Sequence, residues 1–176
     1  MEIGHVLKCT QLLLVLGVIV FGQDRLPPRF EDFHTSVGWT RLPAALTLTT
    51  QTGGSFRTRL QEAVRHPPNF ATHYRFTMWF CGSNCAAGAV IDLTTGYVIA
   101  PPSVQSGVSF NICQSAYAGA GAEFRVDSRL IIVRCGLNYD VQARRNVPDI
   151  YYFVLERQGF RKVAHFHGKR RTSEQK

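Results

Sequence analysis

Residues 70–81 read Phe70-Ala71-Thr72-His73-Tyr74-Arg75-Phe76-Thr77-Met78-Trp79-Phe80-Cys81, and their reading decides the fold. The even positions carry Phe70, Tyr74, Phe76, Met78 and Phe80, while the odd ones carry His73, Arg75, Thr77 and Trp79. A period of two over this length predicts a strand with the even residues on the core. His73, Arg75 and Trp79 then share the other face. A histidine, an arginine and a tryptophan side by side suit recognition of an acidic partner or a sugar polymer if that face is open. If the N-terminal arm covers it, Trp79 packs and Arg75 pairs to a local acid. Both readings stand at this point.

Upstream the period changes. Phe56, Leu60, Ala63 and Val64 recur at helical spacing, Ser55 can cap the start, and Pro67-Pro68 forbids continuation, so residues 55–66 predict one helix with Phe56, Leu60 and Val64 as core. Residues 23–54, with three prolines and short apolar patches, predict an irregular arm with one strand near 45–49. Downstream, three hairpins are expected: 87–91 with 97–100 around a turn closed by Gly96, 122–126 with 130–133, and 150–156 with 160–166 around Arg157-Gln158-Gly159. Residues 101–121 and 136–148 read as loops. The expected class is α+β, mainly β: an antiparallel meander sheet of about seven strands, with the N-terminal helix packed on it and disulfide bridges. No steady repeat supports a propeller.

The first 22 residues have the order of a secretory signal peptide: a polar start ending at Lys8, an apolar run over 12–21, and the small residue Gly22 before a polar, proline-bearing stretch. Ten apolar residues fall short of the roughly 20 that a membrane helix needs. No stable anchor is expected after cleavage, and Cys9 lies on the wrong side of the run for lipid attachment. The organisation is therefore 1–22 signal, 23–54 arm, 55–167 a single β-rich domain, and 168–176 a basic flexible tail. Four cysteines remain beyond the signal: Cys81, Cys85, Cys113 and Cys135. An even count in an oxidising compartment, periplasmic or extracellular, predicts two disulfides. Three pairings are possible; Cys81–Cys85 across Gly82-Ser83-Asn84, with Cys113–Cys135, is preferred.

The chain carries 20 Lys and Arg against 12 Asp and Glu, a net charge of +8. An exported protein with no zinc finger, helix-turn-helix or RNP pattern is not expected to bind nucleic acid. Its basic surface suits another protein or an anionic envelope polymer.

Asn69-Phe70-Ala71-Thr72-His73-Tyr74, Trp79-Phe80-Cys81-Gly82-Ser83-Asn84-Cys85, Ile91-Asp92 with Thr95-Gly96, and Asp127-Ser128-Arg129-Leu130 resemble an uncharacterised family of exported bacterial proteins. Its motifs are roughly N-F-A-G-H-Y, W-G-C-G-x-x-C, I-D-x-x-T-G and D-S-R-L, the likeness runs from Asn69 to about Phe166, and here one extra residue separates the two cysteines of the loop. The resemblance implies export, a bacterial source and a disulfide loop, and no reaction. Thr72 stands where the pattern has glycine, which places a side chain beside His73.

Catalytic constellations are sparse. His73 and Cys81 share a face, but eight residues of continuous strand separate them by about 26 Å, too far for proton transfer. His165-x-His167 puts two imidazoles on one strand face, a spacing that begins a metal site if His73 or Asp92 joins it. The simpler expectation is that they end the last strand, with no metal and no cofactor. There is no G-x-S-x-G, no phosphate-binding glycine loop and no H-E-x-x-H. The expected function is a small exported binding protein, an inhibitor or immunity-type partner of another envelope protein, with His73, Arg75 and Trp79 as binding residues. The alternative is a hydrolase or metal-assisted enzyme built on His73 and the C-terminal histidines.

Overall fold

The computed structural model describes residues 26–48, 56–80, 85–103, 111–113, 121–140, 145–157 and 159–168. Residues 1–22, expected to be a signal peptide, and the Cys81 end of the cysteine loop lie outside them. Among the described residues no helix is long and apolar enough to cross a membrane.

The expected single meander is corrected to two antiparallel sheets of four strands. In the first, β1 (Tyr74–Phe80) pairs along its length with β2 (Ala86–Asp92). The other edge of β2 is shared by β3 (Val98–Ile99) at one end and β4 (Asn111–Cys113) at the other. The second sheet is a plain meander of β5 (Gly121–Phe124), β6 (Leu130–Asp140), β7 (Arg145–Glu156) and β8 (Gly159–Phe166). The reason lies in the count of apolar faces. Leu130-Ile131-Ile132-Val133 is apolar on both sides, as is Ala86–Asp92, and one sheet with one helix cannot cover four such faces.

The sheets meet through Phe76 and Val90 on one side and Ile131, Val133, Phe153 and Leu155 on the other, all buried in one cluster with Phe70 and Ile112. The Cys113–Cys135 disulfide joins β4 to β6 across this interface and is consistent with export. Cys85 is also disulfide-bonded. The preferred Cys81–Cys85 pairing falls outside the described residues.

The outer face of the first sheet carries Trp79, Ala87, Ala89, Ile91 and Leu93, and α1 (Arg57–Ala63) packs on it through Leu60 and Ala63, with Phe56 and Val64 flanking. The arm continues the cover with Trp39, Leu46 and Leu48. It forms no strand at 45–48, only a parallel bridge from Thr47 to Tyr97. Its path fixes Gly96, whose φ is +75° and whose added Cβ would lie 1.9 Å from the Ala45 carbonyl oxygen. Earlier, the arm makes a 3₁₀ turn at Phe30–Phe33 and lays Phe30 and Phe33 on the outer face of the second sheet, beside Leu130, Ile132, Tyr152 and Val154. One arm thus covers parts of both outer faces.

Two further expectations are corrected. Residues 136–148 hold the ends of β6 and β7 and not simply a loop. The strand that opens the pattern starts at Tyr74, because the chain turns at residues 71–73.

Candidate functional site

The turn at 71–73 is the least ordinary backbone in the described chain. Phe70 and Tyr74 exchange backbone hydrogen bonds of 3.1 and 3.0 Å, and His73 N–H donates to the Ala71 carbonyl at 2.9 Å. Closing so few residues drives Ala71 to φ +42° and Thr72 to φ +72°, a region that side chains resist. A bond from residue 73 back to 71 around a positive-φ centre is a γ-turn of the rare, strained hand. Glycine would accept it freely. Here it is held from outside: Ala71 N–H donates to Arg125 O at 3.3 Å, Thr72 N–H to Val126 O at 2.7 Å, and the Thr72 hydroxyl to Ser36 O of the arm. Strain of this kind, of order 1–3 kcal/mol per residue, persists where the surroundings impose it and gathers at functional positions.

The turn projects His73 into a cleft of about 520 Å³ between the arm at Thr35 and Ser36, the turn itself, and Arg129, Leu155, Glu156 and Arg157. The His73 side chain is 31% exposed, with its ring 4.3 Å from that of Tyr74 and 6.2 Å from that of Trp39. Its Nε2 lies 3.7 Å from Asp92 Oδ1. That oxygen already accepts from Thr94 N–H at 2.8 Å and from the Thr94 hydroxyl. Burial pushes the Asp92 carboxyl up, but the hydrogen bonds from Thr94 and Thr95 and the His73 charge outweigh it, and its pKa lies below the ordinary 3.8. Tyr74 is shifted up by burial and then by the Asp92 charge, so it stays a neutral phenol.

The cleft's charge is mainly positive. Glu156 is engaged by Arg161 at 2.6 Å. Arg129 spans the cleft wall, donating to Leu155 O at 3.1 Å. Arg157 is exposed, and among the described residues it makes no ion pair.

Arg75 and Trp79 do not join His73. They lie with Thr58, Arg59, Glu62 and His66 in a groove between β1 and α1. Trp79 is 7% exposed, packed on Phe56 at 5.0 Å and with the Arg59 guanidinium 5.9 Å above its ring. Arg75 donates to Pro67 O at 3.1 Å, and burial lowers its pKa. The covered reading of this face therefore holds for Trp79, with the helix as the main cover. Phe80, expected on the core, is 71% exposed. The second sheet covers β1 best at Phe76 and the helix covers it best at Trp79, so burial changes sides along the strand.

His165 and His167 stand elsewhere. His165 pairs with Tyr151 of β7, four strand positions or about 13 Å from the Leu155 that lines the His73 cleft. Their acid is Asp149, not Asp92, and His73 is not among them. Arg129 and Arg157 were not legible as cleft residues, since only the antiparallel return of β7 brings residue 155 beside residue 129, where Leu155 N–H donates to Arg129 O at 3.0 Å. No family model matches the chain, and no match is found among the curated proteins or the solved structures.

Proposed function

We propose that this protein is a periplasmic or secreted binding protein that holds an anionic chain, an acidic protein segment or an anionic envelope polymer, in the His73 cleft. The observation that carries this reading is the strained Ala71-Thr72 turn, which sets His73 in a cleft whose other charged side chains are Arg129, Arg157 and the already paired Glu156. Asp92 Oδ1 lies 3.7 Å from the imidazole while that oxygen is itself satisfied by Thr94. Arginine at a partly desolvated site binds carboxylates and phosphates through paired N–H donors, and can be worth 2 kcal/mol or more when it is central.

The reading replaces Arg75 and Trp79 with Arg129 and Arg157 as partners of His73, because the helix covers Trp79. The test measures binding of oligo-glutamate and of polyphosphate, the two arms separating a carboxylate from a phosphate partner. His73→Ala and Arg157→Ala should each weaken the preferred probe by roughly tenfold or more with little change in melting temperature. Unaltered binding by both variants, or no binding of either probe, would overturn the proposal.

A further inference from the structure

In the first half of β7 a second carboxylate meets two imidazoles, and this cluster stands apart from the His73 cleft. Asp149 Oδ2 lies 3.6 Å from His165 Nε2 and 3.6 Å from His167 Nδ1. One ligand atom from each of the three residues lies within 4.8 Å of the others. We infer that Asp149, His165 and His167 form a three-ligand site for a late first-row divalent cation, with zinc the natural occupant.

The ligand chemistry selects the class. Two imidazole nitrogens and one carboxylate oxygen suit Zn²⁺ and its neighbours, whereas Mg²⁺ and Ca²⁺ take oxygen. Zinc bonds of about 2.0–2.2 Å in a tetrahedron put neighbouring ligand atoms about 3.3 Å apart. The two 3.6 Å separations are already close to that value. The remaining adjustment falls on His167, which is 78% exposed and follows the last residue of β8. Three protein ligands leave a fourth position for water or a ligand atom from a partner.

The site is built from a second layer inward, unlike a chance pair of surface histidines. Gly168 N–H donates to Asp149 Oδ1 at 2.8 Å, which holds the carboxylate beside the imidazoles. The Tyr151 hydroxyl approaches Oδ2 at 3.5 Å, and the Tyr151 ring stacks on His165 at 4.0 Å with an interplanar angle of 9°. Such outer partners orient metal ligands and tune their affinity. Among the described residues the buried His165 Nε2 has no hydrogen-bond partner, and it faces the Asp149 carboxylate at 3.6 Å. A buried ring nitrogen without a hydrogen bond is costly in a metal-free protein. A cation seated between it and Asp149 would bond to both in place of that longer contact. A side chain at Gly168 has no room: a Cβ there would lie 2.7 Å from Val147 O and 3.0 Å from Pro148 O, and making room would pull its N–H off Asp149.

The experiment is Zn²⁺ titration of the untagged protein by calorimetry, with Co²⁺ substitution read by visible absorption. One Zn²⁺ per chain and a tetrahedral Co²⁺ spectrum are expected. His167→Ala and Asp149→Asn should each lower affinity by more than about tenfold, and Gly168→Ala, which retains all three ligands, by about tenfold. His66→Ala, remote in the α1 groove, should bind as the parent does. His167 is exposed enough that its loss leaves folding intact, so the result does not hinge on the stacked His165. Stoichiometry below one, or equal affinity in the parent, His167→Ala and Asp149→Asn, would overturn the inference and leave the cleft reading untouched.

Discussion

His73 and Trp79 belong to one sequence pattern, yet the molecule treats them oppositely. Trp79 lies on a regular strand under a helix, in contact with Phe56. His73 lies on a strained turn and opens into a cleft. Alternation tells which residues share a face, but whether the face is open depends on what packs over it: α1 covers the strand at Trp79, while at the turn the arm only walls a cleft. Packed and accessible residues of the pattern therefore separate where the strand gives way to the turn.

That contrast is broken most sharply by truncating aromatics. Phe76 is buried between the sheets, with its ring 4.8 Å from that of Phe124, and Phe76→Ala should cost roughly 3–5 kcal/mol in urea unfolding. Trp79→Ala should fall in the same range, about 3–5 kcal/mol, and should not behave as a surface change. A Trp79→Ala cost within about 0.5 kcal/mol would mean that the helix does not cover this face.

Next in size is the join between the sheets. Cys113 and Cys135 are 22 residues apart, and removing the crosslink by Cys113→Ser with Cys135→Ser should lower stability by about 3 kcal/mol on loop-closure grounds. Calorimetry on the oxidised parent and the double variant checks this.

Smaller effects sharpen the turn. Thr72→Val keeps a branched side chain at φ +72° and deletes the hydroxyl bond to Ser36, so a loss of about 1 kcal/mol is expected, together with weaker binding at His73. Smaller still is the pH term of Asp92. Its folded pKa lies below the ordinary 3.8, so its stabilising contribution is complete above that value and is lost as the pH falls through the folded pKa. The melting-temperature gap between parent and Asp92→Asn should close as the pH falls through the folded pKa of Asp92 in strong acid. A gap that persists at about pH 2 would contradict that origin.

Much of the strand content could be read directly. Gly96 and Gly159 sit at positive φ in the hairpin turns expected of them, and α1 carries Leu60 and Ala63 inward as its spacing implies. The turn at 71–73 was hidden because Phe70-Ala71-Thr72-His73 continues the alternation in composition, and because Thr72 occupies a conformation that glycine would have advertised. Two sheets were hidden because a strand apolar on both faces does not say whether a sheet, a helix or an arm covers each side. Asp149 was hidden by one residue. Counted back from Glu156 opposite Gly159, an unbroken ladder sets Asp149 opposite Phe166. The shift between Tyr152 and Phe153 leaves Val163 without a counterpart and moves every later pair by one, which brings Asp149 level with His167. Bulges of this kind follow from packing that a single strand's pattern does not contain.

The most direct test of the account is a map of backbone amide shifts as oligo-glutamate or polyphosphate, whichever binds better, is titrated into the protein. Shifts confined to Thr35, Ser36, residues 71–74, Arg129 and residues 155–157, the lining of the His73 cleft, are predicted. Shifts centred instead on Arg59, Arg75 and Trp79 in the α1 groove would contradict it, as would an unchanged spectrum with either probe at saturating concentration.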